Sequence, residues 1–424
     1  MKIFLISLGC PKNLFDSEQL LALFIQEGFT IANSIEKADF IIINTCGFIK
    51  DAVKESTEYI KYLIRKNKKI IIWGCLVQRE REKLLRFKNI KGIVGVGDPK
   101  EVLNVIREEG EKIVKVKENC FTEIKEYPRL ITTFPYAYIK ISDGCNNFCS
   151  YCLIPKLRGE LRSRKIKDIL KEAENIEKIG FKEIILVAQD TTNYGKDLKD
   201  GSNIIKLLEE LEKFNFEWIR VMYMHPAHLN DQIIEKIGES KKICKYFDIP
   251  IQHVSPNILK KMNRPIINLY ELIEKIRKKV PYSVIRTTFI VGFPGESQDD
   301  FNSLLCFIEK MKIERVGFFK YSREKGTFSY NSPNQIDEKE KERRLNILIR
   351  KQKEISREKL KKYIGKKVKI LIEDKNKKFS IGRTEYDAPE IDGVVYIKNK
   401  DLKIGEFYEL KITRSNEYNL YVDD

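Results

Sequence analysis

The run Cys145-Asn-Asn-Phe-Cys149-Ser-Tyr-Cys152 constrains this chain more than any other feature, because whatever folds around it must hold three thiols about one metal group. Three thiolates spaced C-x3-C-x2-C can bind three corners of a cubane iron–sulfur cluster. No fourth cysteine lies nearby, so one iron would stay open. An open iron is a place for chemistry, whereas a fully ligated cluster mostly carries electrons. Zinc is the alternative, but a zinc site usually pairs C-x2-C with a second such pair or with two histidines, and neither is close in sequence.

Three more cysteines, Cys10, Cys46 and Cys75, lie in a segment of alternating strands and helices. Lys2–Leu8, Asp39–Asn44 and Lys69–Trp73 read as buried strands. Ser17–Gln26 and a stretch from about Lys50 read as helices. Continuous apolar runs separated by amphipathic helices indicate a parallel sheet. Each of the three cysteines falls just past the carboxyl end of a strand, the edge where ligands bind in open α/β sheets. Cysteines 36 and 29 residues apart can therefore converge in space. Any one of them alone reads as a small buried hydrophobe. Their shared topological position, with Gly9, Gly47 and Gly74 alongside to let the backbone approach closely, points to a second cluster.

The rest of the chain divides on composition. The first unit covers residues 1–105. Residues 106–133 form a polar linker containing Cys120, which is given no role. Residues 134–336 repeat a strand–helix unit six times, with strands at Tyr136–Ile141, Glu183–Ala188, Trp218–Met222, Tyr246–Ile251, Ser283–Val291 and Arg315–Lys320. Six units are too few for a closed eight-fold barrel and suit a partial (β/α)6 barrel with its chemistry at the strands' carboxyl ends. The cysteine run follows the first of these strands. Gln189 and Asp190 end the second, Gln252 and His253 the fourth, Gly292-Phe-Pro-Gly-Glu296 the fifth and Tyr321 the sixth. Residues 337–362 form a charged helical connector with 11 basic and 6 acidic residues, and 363–424 a small all-β module. The expected fold is thus multidomain α/β with a β-barrel appended.

Lys+Arg exceeds Asp+Glu by 79 − 62 = 17, an excess that favours an anionic partner, with nucleic acid or a ribonucleoprotein foremost. A Lys- and Glu-rich proteome of a heat-loving organism gives the same excess without any partner. No apolar run is long enough for a signal peptide or a membrane span, so the chain is expected to be cytoplasmic, where thiols stay reduced. Nine cysteines there suit metal or redox chemistry better than disulfides.

All three segments together resemble the radical S-adenosylmethionine (SAM) methylthiotransferases. Leu8-Gly-Cys-Pro-Lys-Asn13 with Asp16-Ser-Glu18, Asn44-Thr-Cys-Gly-Phe48 and Gly74-Cys75 resemble the family's N-terminal cysteine motifs. Lys140 to Gly159 resembles its radical SAM signature, and the last segment resembles a TRAM domain. Leu186–Thr192, Asp248–His253, Arg286–Glu296 and above all Gly382–Gly393 look like the RimO branch. The resemblance implies methylthiolation of the β-carbon of one aspartate in small-subunit ribosomal protein S-twelve. It implies two 4Fe-4S clusters, one on Cys145, Cys149 and Cys152 and one on Cys10, Cys46 and Cys75. One SAM would be the radical source and a second the methyl donor. A low-potential donor such as flavodoxin or ferredoxin and a sulfur donor would serve as partners, with no membrane.

SAM-pocket residues are read as follows. Tyr151 contacts the adenine, Gln189 and Arg286 bind SAM's polar end, and Gly292 and Glu296 form the adenine-side turn, for which a plain helix-entry turn is the competing reading. Gln252 and His253 line the pocket or pack beside it. Met224-His-Pro-Ala-His228 departs from the tyrosine–proline pair more usual there, and His225 and His228 read as surface-loop histidines. The rival reading is a tRNA adenosine methylthiotransferase with the same clusters, and one of another class is a non-enzymatic iron–sulfur carrier. Residues 363–424 hold 12 basic and 12 acidic residues, too neutral for RNA phosphates. Glu385, Asp387, Glu390 and Asp392 are expected to form an acidic patch facing a basic ribosomal protein.

Overall fold

The computed structural model describes residues 1–117, 124–398 and 401–423; Cys120 lies outside them. The N-terminal unit is a six-stranded, all-parallel sheet. Its central strands are runs of β-branched residues such as Phe40-Ile-Ile-Ile-Asn-Thr45, buried at every position, as strands covered on both faces must be. Lys2–Ser7, Phe40–Thr45 and Lys69–Gly74 are adjacent in that sheet. Adjacency brings the loops carrying Cys10, Cys46 and Cys75 to one edge. The helix expected from Ser17 begins earlier, at Pro11, because a proline at the first helical position needs no amide partner. The sixth strand, Ile113–Lys115, lies within the stretch expected as linker.

The six expected central strands are present as Tyr136–Lys140, Glu183–Val187, Trp218–Val221, Tyr246–Asp248, Val284–Val291 and Arg315–Lys320. They pair in parallel as two three-stranded sheets, joined by a bridge between Ile219 and Ile243 into one open arc. One face of the arc packs on the helices. The other turns inward and carries Tyr136, Tyr138, Ile185, Val187, Trp218, Met222 and Tyr246.

What fills that interior is the β-module. Its sheet of six strands runs from Lys367 to Val422. The loop after the strand Phe379–Thr384 sends Ala388 into the arc, where it meets Tyr136, Tyr138 and Met222. The gap lined by Pro11, Tyr138, Val187, Tyr223, Ala388 and Pro389 is too small for a water molecule. Ion pairs hold the plug. Glu183 is fully buried and takes Arg220 Nε at 2.7 Å and the fork of Arg383, which also reaches Glu373 at 2.6 Å. Arg315 pairs with Asp387, and Arg286 lies 3.6 Å from Asp392. The expected acidic patch is therefore corrected: Asp387 and Asp392 face inward, because cations on the barrel strands meet them. Glu390 is exposed yet bonds Tyr136 Oη at 2.9 Å. Among the described residues no helix is long and apolar enough to cross a membrane.

Glu183→Ala strands the buried Arg220 guanidinium and takes from Arg383 one of its two carboxylates, and should cost about 3–5 kcal/mol, the usual penalty for breaking a buried pair from one side. A urea unfolding midpoint measures it. Glu174→Ala, which removes an exposed pair with Lys178, should leave the midpoint unchanged.

Candidate active site

The Cys10, Cys46 and Cys75 loops are laced by three side chains. Asn13 Nδ2 donates to Leu8 O at 2.9 Å and Thr45 O at 3.2 Å. Asn44 Nδ2 donates to Asn13 O at 2.9 Å. Thr45 Oγ1 donates to Trp73 O at 2.6 Å. Gly9 has φ +93, and a Cβ there would stand 2.7 Å from Cys46 Cβ. At Gly47 a Cβ would lie 2.8 Å from the Cys75 backbone. Both glycines therefore let the three cysteines converge. Burial pushes the Cys46 thiol up to about 11 and raises Cys75, while at Cys10 the cations Lys12 and Arg158 outweigh burial and lower it.

The Cys145–Cys152 loop is fixed from outside. Cys145 N donates to Gly159 O at 3.1 Å, and Ser150 N to Met262 O at 2.9 Å. Arg264 Nη1 lies 3.6 Å from Cys149 Sγ, and Ile154 N 3.4 Å from Cys152 Sγ. Gly144 is required, because a Cβ would stand 1.9 Å from Glu160 O. Burial pushes the Cys145 thiol up to about 11 and raises Cys152 further, so a metal group must displace protons as it binds.

Among the described residues one trio of ligating side chains draws its donor atoms within 4.8 Å of one another, and neither cysteine set is in it. The donor set at each place, three free cysteines, suits a cluster with one iron left open.

Four buried charges lie between the two sets. Arg158 donates to Asp143 Oδ2 at 2.8 Å, Asn13 Oδ1 at 2.6 Å and Asp16 Oδ2 at 3.3 Å. Lys140 bridges Asp16 and Asp143. Asp143 in turn accepts from Gly144 N at 3.0 Å and Gln189 Nε2 at 2.8 Å. Despite burial, Arg158 and Lys140 hold the Asp143 carboxyl far below its ordinary range. One network thus ties the helix after Cys10 to the residues flanking Cys145.

The expected SAM-pocket residues separate. Tyr151 packs with Met262, Phe293, Tyr321 and Ile290, which unites it with the Gly292–Glu296 turn. Gln189 keeps a buried Oε1 without a partner, an open acceptor beside the cysteine loop. Gln252 is half-buried, with φ +75, and donates to Thr288 Oγ1 at 3.3 Å. Glu296 closes its own turn by accepting from Gly292 N and from Phe293 N at 3.0 Å, and it pairs with Arg344 of the connector helix at 2.9 Å. A Cβ at Gly292 would strike Lys341 of the same helix. This is the helix-entry turn, locked from behind. Arg286 is engaged by Asp248 at 2.9 Å and lies against Asp392, so the fork expected at SAM's carboxylate is already occupied. His253 is fully buried, with Asp300 and Arg344 as its charged neighbours, and packs rather than lining the pocket. A cavity of about 400 Å³ lies elsewhere, lined by Arg286, Arg315, Asp392 and the connector helix, and no cysteine borders it.

His225 is not a surface residue, and His228 is half-buried. His225 is buried, its Nε2 has no partner, and its ring lies 4.6 Å from that of His228. His228 Nδ1 meets Asp190 Oδ2 at 2.8 Å, and the same oxygen accepts from Asn147 Nδ2, inside the cysteine run, at 2.8 Å. This is the trio within 4.8 Å. Its one sequence signal was the departure at Met224–His228. Arg158, Arg264, Asn13 and Asn44 were also missed as site residues, though three of them lie inside or beside quoted motifs.

Comparison with known proteins agrees with this organisation. Family models match residues 2–95 (Uncharacterized protein family UPF0004), 139–308 (Radical SAM superfamily) and 364–423 (TRAM domain). Among curated proteins, "Ribosomal protein uS12 methylthiotransferase RimO" of Clostridioides difficile is 44% identical, covering 100% of this chain and 98% of its own. The protein of that name from Thermotoga maritima is 42% identical over 99% of both chains. Among solved structures, the radical SAM methyltransferase TsrM of Kitasatospora setae shares the fold with a TM-score of 0.57 at 12% identity, covering 78% of this chain and 77% of its own.

Cys149→Ala and Cys46→Ala should each lose one cluster's iron and acid-labile sulfide and keep the other's; quantitative iron analysis with Mössbauer spectra checks this. His225 is held neutral, to about 3, chiefly by burial and by the Arg264 charge. The folded protein therefore binds fewer protons than the unfolded chain below the ordinary histidine value of 6.5, and this contribution to stability is lost as pH falls from there. Thermal midpoints between neutral pH and pH about 5 should drop less for His225→Gln than for the unaltered chain.

Proposed function

This chain belongs to the RimO family of radical SAM methylthiotransferases, and from that membership we propose that it methylthiolates the β-carbon of an aspartate of ribosomal protein uS12. The observation that carries the reading is the full-length likeness to RimO proteins together with two converging cysteine sets on either side of one ion network. Cys145, Cys149 and Cys152 would hold the SAM-cleaving 4Fe-4S cluster, and Cys10, Cys46 and Cys75 the auxiliary one. When bound, these groups supply the electron that cleaves one SAM and the sulfur that a second SAM methylates.

The chain's own residues bind, orient and exclude water. Tyr151 and Phe293 present an apolar wall suited to a purine face. Gln189, held by Asp143 through its amide nitrogen, offers its free oxygen to SAM's ammonium group. Lys12 and Arg158 stand beside Cys10 and favour its thiolate, the form that would ligate a cluster. Asp190 fixes the His228 ring through Nδ1 and leaves its other nitrogen for a substrate polar group. A low-potential carrier and a source of replacement sulfur complete the turnover, which takes place in the cytoplasm with the ribosome.

In a host lacking its methylthiotransferases, this gene should restore a methylthio mass gain on the uS12 aspartate, read by peptide mass spectrometry. An unmodified uS12 with methylthioadenosine in tRNA would assign the chain to the tRNA branch instead. With purified protein, Cys46→Ala should still form 5′-deoxyadenosine but yield no methylthiolated peptide.

A further inference from the structure

The arc of central strands ends on Arg315–Lys320, which pairs with Val284–Val291 on one side and, among the described residues, with no strand on the other. The pairing is parallel, with Thr287 opposite Val316 and Phe289 opposite Phe318. Tyr321 N donates to Val291 O at 2.8 Å, which fixes the phase of the ladder. Arg315, Gly317 and Phe319 therefore turn their backbone groups towards the neighbouring strand, and Val316 and Phe318 turn theirs away. Among the described residues these outward N–H and C=O groups have no partner. Edge strands are normally blunted by a proline, a charge or a bulge, and Val316-Gly-Phe318 has none of these.

The cavity of about 400 Å³ lies against this edge, walled by Ile349 and Gln352 of the connector helix and by Gly393 and Asn419 of the β-module. Gly317 makes room there. Its backbone does not need glycine, and a Cβ would meet only the Phe319 and Thr288 side chains at 3.6 Å, an ordinary contact. A glycine that the fold does not require weakens a strand, and in such a position it marks close approach by another backbone. Gly317 shares the inward face with Arg315, whose guanidinium reaches Asp387 of the module, and with Phe319, which is 51% exposed. Phe319 stands opposite Ile290, and Ile290 belongs to the apolar cluster that holds Tyr151, between Cys149 and Cys152. The inward side of the edge thus leads from the cavity to the SAM-cleaving cysteine run.

We propose that this edge docks the protein substrate by strand addition. An extended stretch of the substrate chain pairs with Val316 and Phe318 and leaves the edge at its carboxyl end, where the residue to be modified meets the cysteine loop. The proposal rests on the methylthiotransferase reading above, which makes the substrate a protein. Unpaired N–H and C=O groups alternating along an edge are matched in full only by another extended main chain, so the occupant is a peptide and not a small ligand. Each docking position needs a peptide amide, which excludes proline there. Phe319 adds an apolar contact for one substrate side chain.

The test uses the full chain carrying both clusters and a fluorescent synthetic peptide spanning the uS12 aspartate. Val316→Pro deletes one outward N–H and leaves the bonds to Val284–Val291 in place, and Gly317→Val fills the groove. Each should weaken peptide binding, read by fluorescence anisotropy, at least about tenfold. The thermal midpoint of Gly317→Val should not fall, because a β-branched residue favours the strand. Methylating the peptide's backbone nitrogens one at a time should weaken binding at every second residue of the paired stretch and spare the residues between. A peptide that the unaltered chain does not bind overturns the proposal. So does unaltered affinity in either variant, or losses on methylation that do not alternate. A dimer of the unaltered chain that Gly317→Val dissociates in sedimentation gives the edge to a second copy and overturns it as well. A peptide bound in this alternating way but never methylthiolated would instead defeat the methylthiotransferase reading and leave the strand pairing standing.

Discussion

Two cations and two carboxylates, buried together where the N-terminal sheet meets the barrel, set the geometry of everything else. Lys140 and Arg158 face Asp16 and Asp143, and the set is electrically balanced. Such a network adds little net stability, because desolvation of four ions offsets most of their attraction. Its effect is on position. Asp16 belongs to the helix that begins at Pro11, directly after Cys10, and Asp143 lies two residues before Cys145. If either domain rotated, a buried charge would lose its partner. Phe15 beneath Arg129, Lys140 and Arg164 closes the same seam with three cation–π contacts. The spacing between the two cysteine sets is thereby fixed before any cluster is loaded.

Much of this was legible in the sequence because it rested on local rules. Strands of unbroken β-branched residues can only be buried in a parallel sheet, and cysteines placed behind them have to converge at one edge. The C-x3-C-x2-C run carries its own geometry. The short outer strands, Thr30–Ile31 and Ile113–Lys115, were missed because two or three residues give no readable period.

What could not be read was the partner of each charge. Asp387 and Asp392 stand in a turn-rich acidic stretch that any composition argument places on the surface. They are buried because Arg286 and Arg315, on barrel strands 106 and 72 residues earlier in the chain, are brought to them by the fold alone. The same pairing withdraws Arg286 from the SAM pocket. His225 and His228 misled for the opposite reason: histidines in a Pro-containing loop look solvent-facing until Asp190, from another strand end, closes over them.

The plugging of the barrel then decides where substrate enters. Ala388 and Pro389 fill the arc from the side of the β-module, and Leu14 and Pro11 approach from the N-terminal unit, leaving less than a water's volume between them. A protein substrate cannot reach the cysteine loop through that side. The strands' carboxyl ends, where the Asp190–His228 pair stands, are the side left open to it. Asp387 and Asp392, which in sequence looked like part of a surface for capturing substrate, instead help to close off one side of the barrel.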